Sequence, residues 1–418
     1  MKKLVSVLLA LVMCLSVTTL AWAEDTLPNG VTFGGANTVY WVSGGADGYA
    51  ETLKAALTAA HQANGNSITI YCKPSETIAK SDPHINVTKD LTIYANNADF
   101  GGNDLSIGTY VAPVNSTTTI NIYNAKNLVV WGQPVDGRAD VWNVNFYDCV
   151  NEGSNFLMYR GGEGATAKLN LRMENCHATG YTDSTVHTTA DGSITIINCT
   201  FTDNCAPINV AHKQAGTMKV KIEGSTFTGC GSTSTTNTLN QYAAPIRLVN
   251  NNGSGTLTAE ISGTTITGTV GSNGDILIGD GRNGKSSNPV GVSISGTTGE
   301  IQVQQPGYYT DNGGKDESKL ASATIGEGER ASVDGSGKIT VTGSNTDPDP
   351  VDPTPVEPEQ PAHTNRRYPA TTTTTAETPA AGTDVTSAKT FDGGVALYVG
   401  MALTSTLGMA WMGKKRAQ

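Results

Sequence analysis

The sequence predicts an all-β body wound as a right-handed parallel β-helix, a solenoid, and three observations point to it. One short phrase recurs: an apolar pair two residues apart, then Asn, Asp or Gly, then Cys, Ser or Thr. It reads Val144-Asn-Phe146-Tyr-Asp148-Cys149, Leu171-Arg-Met173-Glu-Asn175-Cys176 and Ile194-Thr-Ile196-Ile-Asn198-Cys199, and later Val220-Lys-Ile222-Glu-Gly224-Ser225, Ala259-Glu-Ile261-Ser-Gly263-Thr264 and Val292-Ser-Ile294-Ser-Gly296-Thr297. The copies lie roughly 23 to 39 residues apart, a fixed unit joined by variable loops, as in a solenoid. Shorter apolar-centred segments follow each copy, so three strands complete one turn.

Each element has a local reason. Residues 49–64 carry an amphipathic pattern and predict one helix ahead of a strand at 67–72. In the phrase, period-two alternation turns one strand face inward, and the Asn, Asp or Gly that ends it tolerates the left-handed backbone of a sharp corner. The small residue after the corner fits inside. The second strand is seen in Thr200-Phe201-Thr202 and Thr226-Phe227-Thr228, whose phenylalanines return to the core. The third is seen in Phe156-Leu-Met158, Val186-His-Thr188, Pro207-Ile208-Asn-Val210, Pro245-Ile246-Arg-Leu248 and Asp275-Ile276-Leu-Ile278.

Three strands per turn, one tight corner and two variable loops resemble the pectin-lyase-like β-helix superfamily. Lys89-Asp-Leu91-Thr-Ile93-Tyr94 and Lys126-Asn-Leu128-Val-Val130-Trp131 read as copies of another phrase common there, so the resemblance covers residues 67–307. It implies that the helix caps the open first coil and hides an edge that would template aggregation. For function it implies little, since the fold carries lyases, hydrolases, tailspikes and adhesins.

The ends predict display outside the cell. Residues 1–23 have Lys2-Lys3, an apolar run and Ala21-Trp-Ala23, the plan of a secretory signal peptide. Residues 393–413 form 21 uncharged positions, long enough as a helix to cross about 30 Å of hydrocarbon, and Lys414-Lys415-Arg416 follows. With Ser387-Ala-Lys-Thr390-Phe391 before it, this resembles a cell-wall sorting signal of Gram-positive type. Ser387, Ala388 and Phe391 replace the usual Leu, Pro and Gly. Two attachments stay open, cleavage after Thr390 by a sortase-like transpeptidase and a retained membrane helix. Residues 346–386, rich in Pro and Thr, read as a stalk. Between the leader and the stalk lie a cap region at 24–66, the helix body at 67–307 and a β-rich closing segment at 308–345.

Charged residues make up 15% of the chain, against about 25% in ordinary globular proteins, and the net charge is −10 with no basic stripe in the body, which argues against nucleic acid. Of seven cysteines, Cys14 lies in the leader; Cys149, Cys176 and Cys199 hold equivalent positions in successive coils and predict a buried thiol ladder. No cysteine pair has zinc-finger spacing with a matching His.

A lyase of this resemblance needs carboxylates to hold calcium and an Arg or Lys to take a proton; a hydrolase needs paired carboxylates. The third strands place outward, coil by coil, Asn155, Thr185, Pro207, Pro245 and Asp275; then Leu157, His187, Asn209, Arg247 and Leu277; then Tyr159, Thr189, Ala211, Val249 and Gly279. One carboxylate among these positions points away from catalysis, with Arg247 the candidate proton abstractor. The acids sit in loops, as Asp136, Asp140, Asp183, Asp191 and Asp280 do, and calcium is the single cofactor they leave open. Binding has better material: Tyr94 and Trp131 project outward and suit the apolar face of a sugar, joined by Tyr159, His187, Asn209, Arg247 and Tyr242 of the loop at 231–243. The expectation is a surface-displayed, non-catalytic β-helix that binds glycans or host and neighbour surfaces. The alternatives are a tethered polysaccharide lyase or glycoside hydrolase and a structural envelope component.

Overall fold

The computed structural model describes residues 27–343, except 81–84, 109–114, 134–136, 162–163, 232–242, 252–253, 282–289 and 311–313. The chain separates into two units, Met1–Asp349 and Pro350–Gln418, and every described residue belongs to the first. The leader, the stalk, Thr390 and the apolar tail lie outside the described residues, as does Tyr242. No helix among the described residues is long and apolar enough to cross a membrane.

The body is a parallel β-solenoid of about eight turns, with three sheets of thirteen, five and ten strands. The recurring phrase builds the thirteen-stranded sheet. Val141–Tyr147, Lys168–Glu174, Asp191–Ile197, Thr217–Glu223, Thr256–Ser262 and Val290–Ser295 pair in parallel, coil upon coil. Their apolar partners stack inward, for example Phe146, Met173, Ile196 and Ile222, all fully buried. Each phrase ends in a left-handed residue: Asp148 (φ 54), Asn175 (φ 54), Asn198 (φ 51), Gly224 (φ 58), Gly263 (φ 55) and Gly296 (φ 58). At Gly224 a Cβ would lie 2.5 Å from Oδ1 of Asn198 in the coil below, so the Asn198 side chain would have to shift to admit it.

The five-stranded sheet carries the second strands. Phe201 and Phe227 stack inside it with ring centroids 4.8 Å apart, and burying each stabilises the coil by about 1.5–3 kcal/mol. Cys149, Cys176 and Cys199 line the corner as buried free thiols, and the Cys176 N–H donates to the Cys199 Sγ at 3.4 Å. Burial pushes the Cys176 and Cys199 thiols well above their usual pKa.

Both ends are closed. Helix α1, Leu53–Gln62, starts at Thr52, whose side chain accepts the Ala55 N–H, and it buries Leu53, Ala56, Leu57 and Ala60 against the first coils. It is shorter than the sequence predicts because Tyr49 belongs to strand Ala46–Ala50 and pairs with Tyr40. Strand Val39–Ser43 then lies antiparallel on Ser67–Cys72. At the other end Leu320–Ile325 and Arg330–Val333 lie antiparallel on Gly299–Gln304 and Val290–Ser295. Antiparallel strands therefore cover the last parallel strands of two sheets, whose bare edges would otherwise recruit other chains.

Two expectations need correction. Asp90–Tyr94 and Val129–Gly132, read as copies of one phrase, lie in different sheets, the first in the thirteen-stranded and the second in the ten-stranded. The first coil of the outward ladder is also one residue out of register. Met158, not Leu157, pairs with His187, so Leu157 and Tyr159 point inward and are fully buried. Tyr159 pairs with Gly132, and Gly108, two coils earlier, makes room for its ring, since a Cβ there would come within 3.2 Å of the hydroxyl.

Candidate functional site

The candidate site is the outer face of the ten-stranded sheet, formed by the third strands. With the register set by pairing, one outward row runs Ser106, Trp131, Met158, His187, Asn209, Arg247, Leu277 and Gln302. Neighbours in such a row are spaced by about 4.8 Å. The row thus unites four residues singled out from the sequence: Trp131, His187, Asn209 and Arg247. It does not include Tyr94, which lies in another sheet, or Tyr159, which faces the core.

The centre of the row is polar and buried. Arg247 is 4% exposed, and its Nη1 donates to Oδ1 of Asn209 at 2.7 Å. Asn209 in turn donates from Nδ2 to Oγ of Ser184 at 2.8 Å. Arg247 Nη2 lies 4.0 Å from Oδ2 of Asp280, itself 2% exposed. A guanidinium in such a place needs several partners, because desolvating it alone is costly. Its burial contradicts the exposed position expected from the sequence. Asp280 in the following coil, a charge that strand alternation does not register, faces the guanidinium there.

His187 sits beside this chain in a cationic setting. Burial first, then Arg160, Arg247 and Lys213, push its pKa down to about 3. The imidazole is therefore neutral through the physiological range, in a field set by three cations. Tyr181 borders the same region; burial and Asp183 raise its pKa while Arg160 opposes them.

Among the described residues the acids expected in loops do not converge; Asp191 instead opens strand Asp191–Ile197, and Asp136 lies outside the described residues. Asp183 Oδ1 accepts the Ser184 N–H at 2.6 Å, Asp191 Oδ1 meets Nε2 of His212 at 2.7 Å, and Asp280 faces Arg247. Among the described residues no group of three His, Cys, Asp or Glu is placed to hold a metal ion. The His212 pair went unnoticed in the sequence. His212 ends strand Ile208–His212 with the inward parity of Ile208 and Val210, and its Nδ1 lies 3.2 Å from Oδ1 of Asn250. Parity and the neighbouring Asn250 were the available signal.

Tyr94 belongs to a tyrosine column on the thirteen-stranded sheet. Tyr71, Tyr94, Tyr123 and Tyr147 stack with centroids 5.2, 5.2 and 4.9 Å apart. Their neighbours cover the faces of Tyr94, so this residue offers a ring edge and a hydroxyl rather than the flat face expected of it.

No protein family, curated protein or solved structure matches the chain. Fold and site therefore rest on the residues themselves. Among the described residues they define a parallel β-solenoid whose ten-stranded face carries the row from Trp131 to Arg247, with Arg160 and Lys213 near it.

Proposed function

We propose that the chain is a secreted, surface-anchored glycan-binding protein of the pectin-lyase-like superfamily, displayed on a stalk by a cell of Gram-positive type. The observation that carries the binding reading is the strip itself: Trp131 in register with His187, Asn209 and Arg247, and Arg160 and Lys213 close enough to act on His187. An indole that stacks on sugar, with the Arg160 and Lys213 cations near the same row, suits a polymer bearing carboxylate or sulfate groups. On a chain of net charge −10, this concentration of cations is local. The leader at 1–23 and the tail at 387–418 support display, with anchoring through Thr390 by a sortase-like transpeptidase or through a retained membrane helix.

A second reading, a tethered lyase, draws on one feature: a neutral imidazole and a guanidinium two coils apart on the sheet face, with Asn209 between them, either of which could serve in proton abstraction from a uronate. It is the lesser reading because the described acids do not gather around the strip. The test is incubation of the purified protein with acidic and neutral polysaccharides, with and without calcium, followed by mass analysis of soluble products. Intact acidic polymer retained by the protein supports binding. Unsaturated fragments that vanish in Arg247→Ala would make it a lyase. Neither retention nor cleavage would favour a structural envelope role.

A further inference from the structure

We propose a second docking surface, for an uncharged, extended polysaccharide, on the first four parallel coils of the thirteen-stranded sheet. It goes beyond the acidic-polymer strip and stands whether or not that strip binds. Three outward rows cross these coils in register. One is the tyrosine column. The middle row is Thr69, Thr92, Asn121 and Asn145, and the outer row is Ser67, Asp90, Thr119 and Asn143. All are at least partly exposed.

Charge selects the occupant. Asp90 is the single ionisable acid or base in the middle and outer rows, and its Oδ1 accepts the Thr119 N–H at 2.7 Å. The next coil ends this neutral field with Arg172 and Glu174, paired at 2.7 Å, and Lys219, Lys221 and Glu223 follow on later strands. A polyanion gains nothing from four coils of hydroxyls and amides, whereas a neutral glycan meets its own kind of hydrogen-bonding group.

The hydrogen-bond inventory leaves capacity for it. Asn145 Nδ2 donates to Asn121 Oδ1 at 2.9 Å, and Asn143 Nδ2 to Thr119 Oγ1 at 3.3 Å. A primary amide has two N–H groups and two lone pairs, so the amides keep hydrogen-bonding capacity beyond these ladder bonds, although Asn143 Oδ1 also accepts from Asn170 Nδ2 at 2.9 Å. Sugar hydroxyls both donate and accept. The repeat of the platform is the coil spacing of about 4.8 Å, close to the advance per sugar of an extended β-linked pyranose chain laid along the solenoid axis. Beside the outer row lies an open groove of about 580 Å³, lined by Asn66, Thr88, Asp90, Ser116, Thr117 and the stem of Lys89. The Lys89 ammonium is occupied there by the carbonyls of His61 and Ala63, at 3.1 and 2.7 Å. The groove adds hydroxyl and amide groups beside the outer row, with Asp90 and the tethered Lys89 as its charged residues.

The test is affinity electrophoresis of the purified protein through gels containing a β-linked glucan, a galactomannan or a polyuronate, at low and high salt. The neutral polymers are expected to retard the protein equally at both salt levels. Asn121→Lys with Asn145→Lys should weaken that binding by about tenfold or more, and Trp131→Ala should leave it unchanged. Tyr123→Phe keeps the stack and removes one hydroxyl; it should weaken neutral-glycan binding severalfold, and it decides the matter if the double variant misfolds. Passage of the wild type unretarded through both neutral polymers would overturn the proposal, as would binding indifferent to the platform substitutions.

Discussion

Acidification should destabilise the wild-type protein more than it destabilises His187→Gln, by an amount set by the imidazole's surroundings. The pKa of His187 falls from 6.5 to about 3 in the fold, through burial and then Arg160, Arg247 and Lys213. Between those values the unfolded chain binds a proton that the native chain refuses. Stability therefore rises with pH across that window, is full above it, and is lost as pH falls. Each pH unit inside the window is worth about 1.4 kcal/mol, so by pH 4 the accumulated loss is roughly 3 kcal/mol. The pKa values of His61 and His177 are lowered too, by burial first, which is why the variant and not the wild type alone gives the measurement. Calorimetric melting of both proteins from pH 7 to pH 4 should show their midpoints converging or crossing, the wild type falling faster. A gap that stays constant across the range would refute the half-buried, cation-flanked placement.

Ile196→Asp puts a carboxylate between Met173 and Ile222 in the fully buried stack and should cost several kcal/mol; an unchanged melting temperature would contradict the inward assignment. Asn198 holds φ 51 at a corner, so Asn198→Ala should lose about 1–2 kcal/mol and Asn198→Gly less, as read by thermal denaturation. The six cysteines of the body are buried and free. They should resist alkylation in the native protein and all react in denaturant without reductant, and mass mapping that finds two thiols missing would disprove the ladder.

The phrase strands and their corners were legible because each depends on its own few residues: strict alternation sets the inward face, and a left-handed corner admits little besides Asn, Asp and Gly. The third strands were less legible. In Leu157–Tyr159 all three residues are apolar or aromatic, so alternation is silent, and the space for the inward Tyr159 ring is left by Gly108 two coils earlier. Arg247 reads as solvated because arginine usually is, yet its setting comes from Asn209 and Asp280 on adjacent coils. Tyr94 was rightly placed outward, but its column requires knowing that Tyr71, Tyr123 and Tyr147 share its register. In a solenoid, local pattern fixes which way a strand faces. Contacts between coils decide what each outward residue touches, and those contacts join positions two or three dozen residues apart.

The central claim is that the ten-stranded face binds acidic polysaccharide without cutting it. The most direct measurement is retention of the purified protein on an immobilised polyuronate across a salt series, with the polymer's length followed in the same sample. The account predicts retention that weakens as salt rises, drops sharply in Trp131→Ala and in Arg160→Ala with Lys213→Ala, and leaves polymer length unchanged. Retention that ignores those substitutions, or polymer that shortens with time, would contradict it.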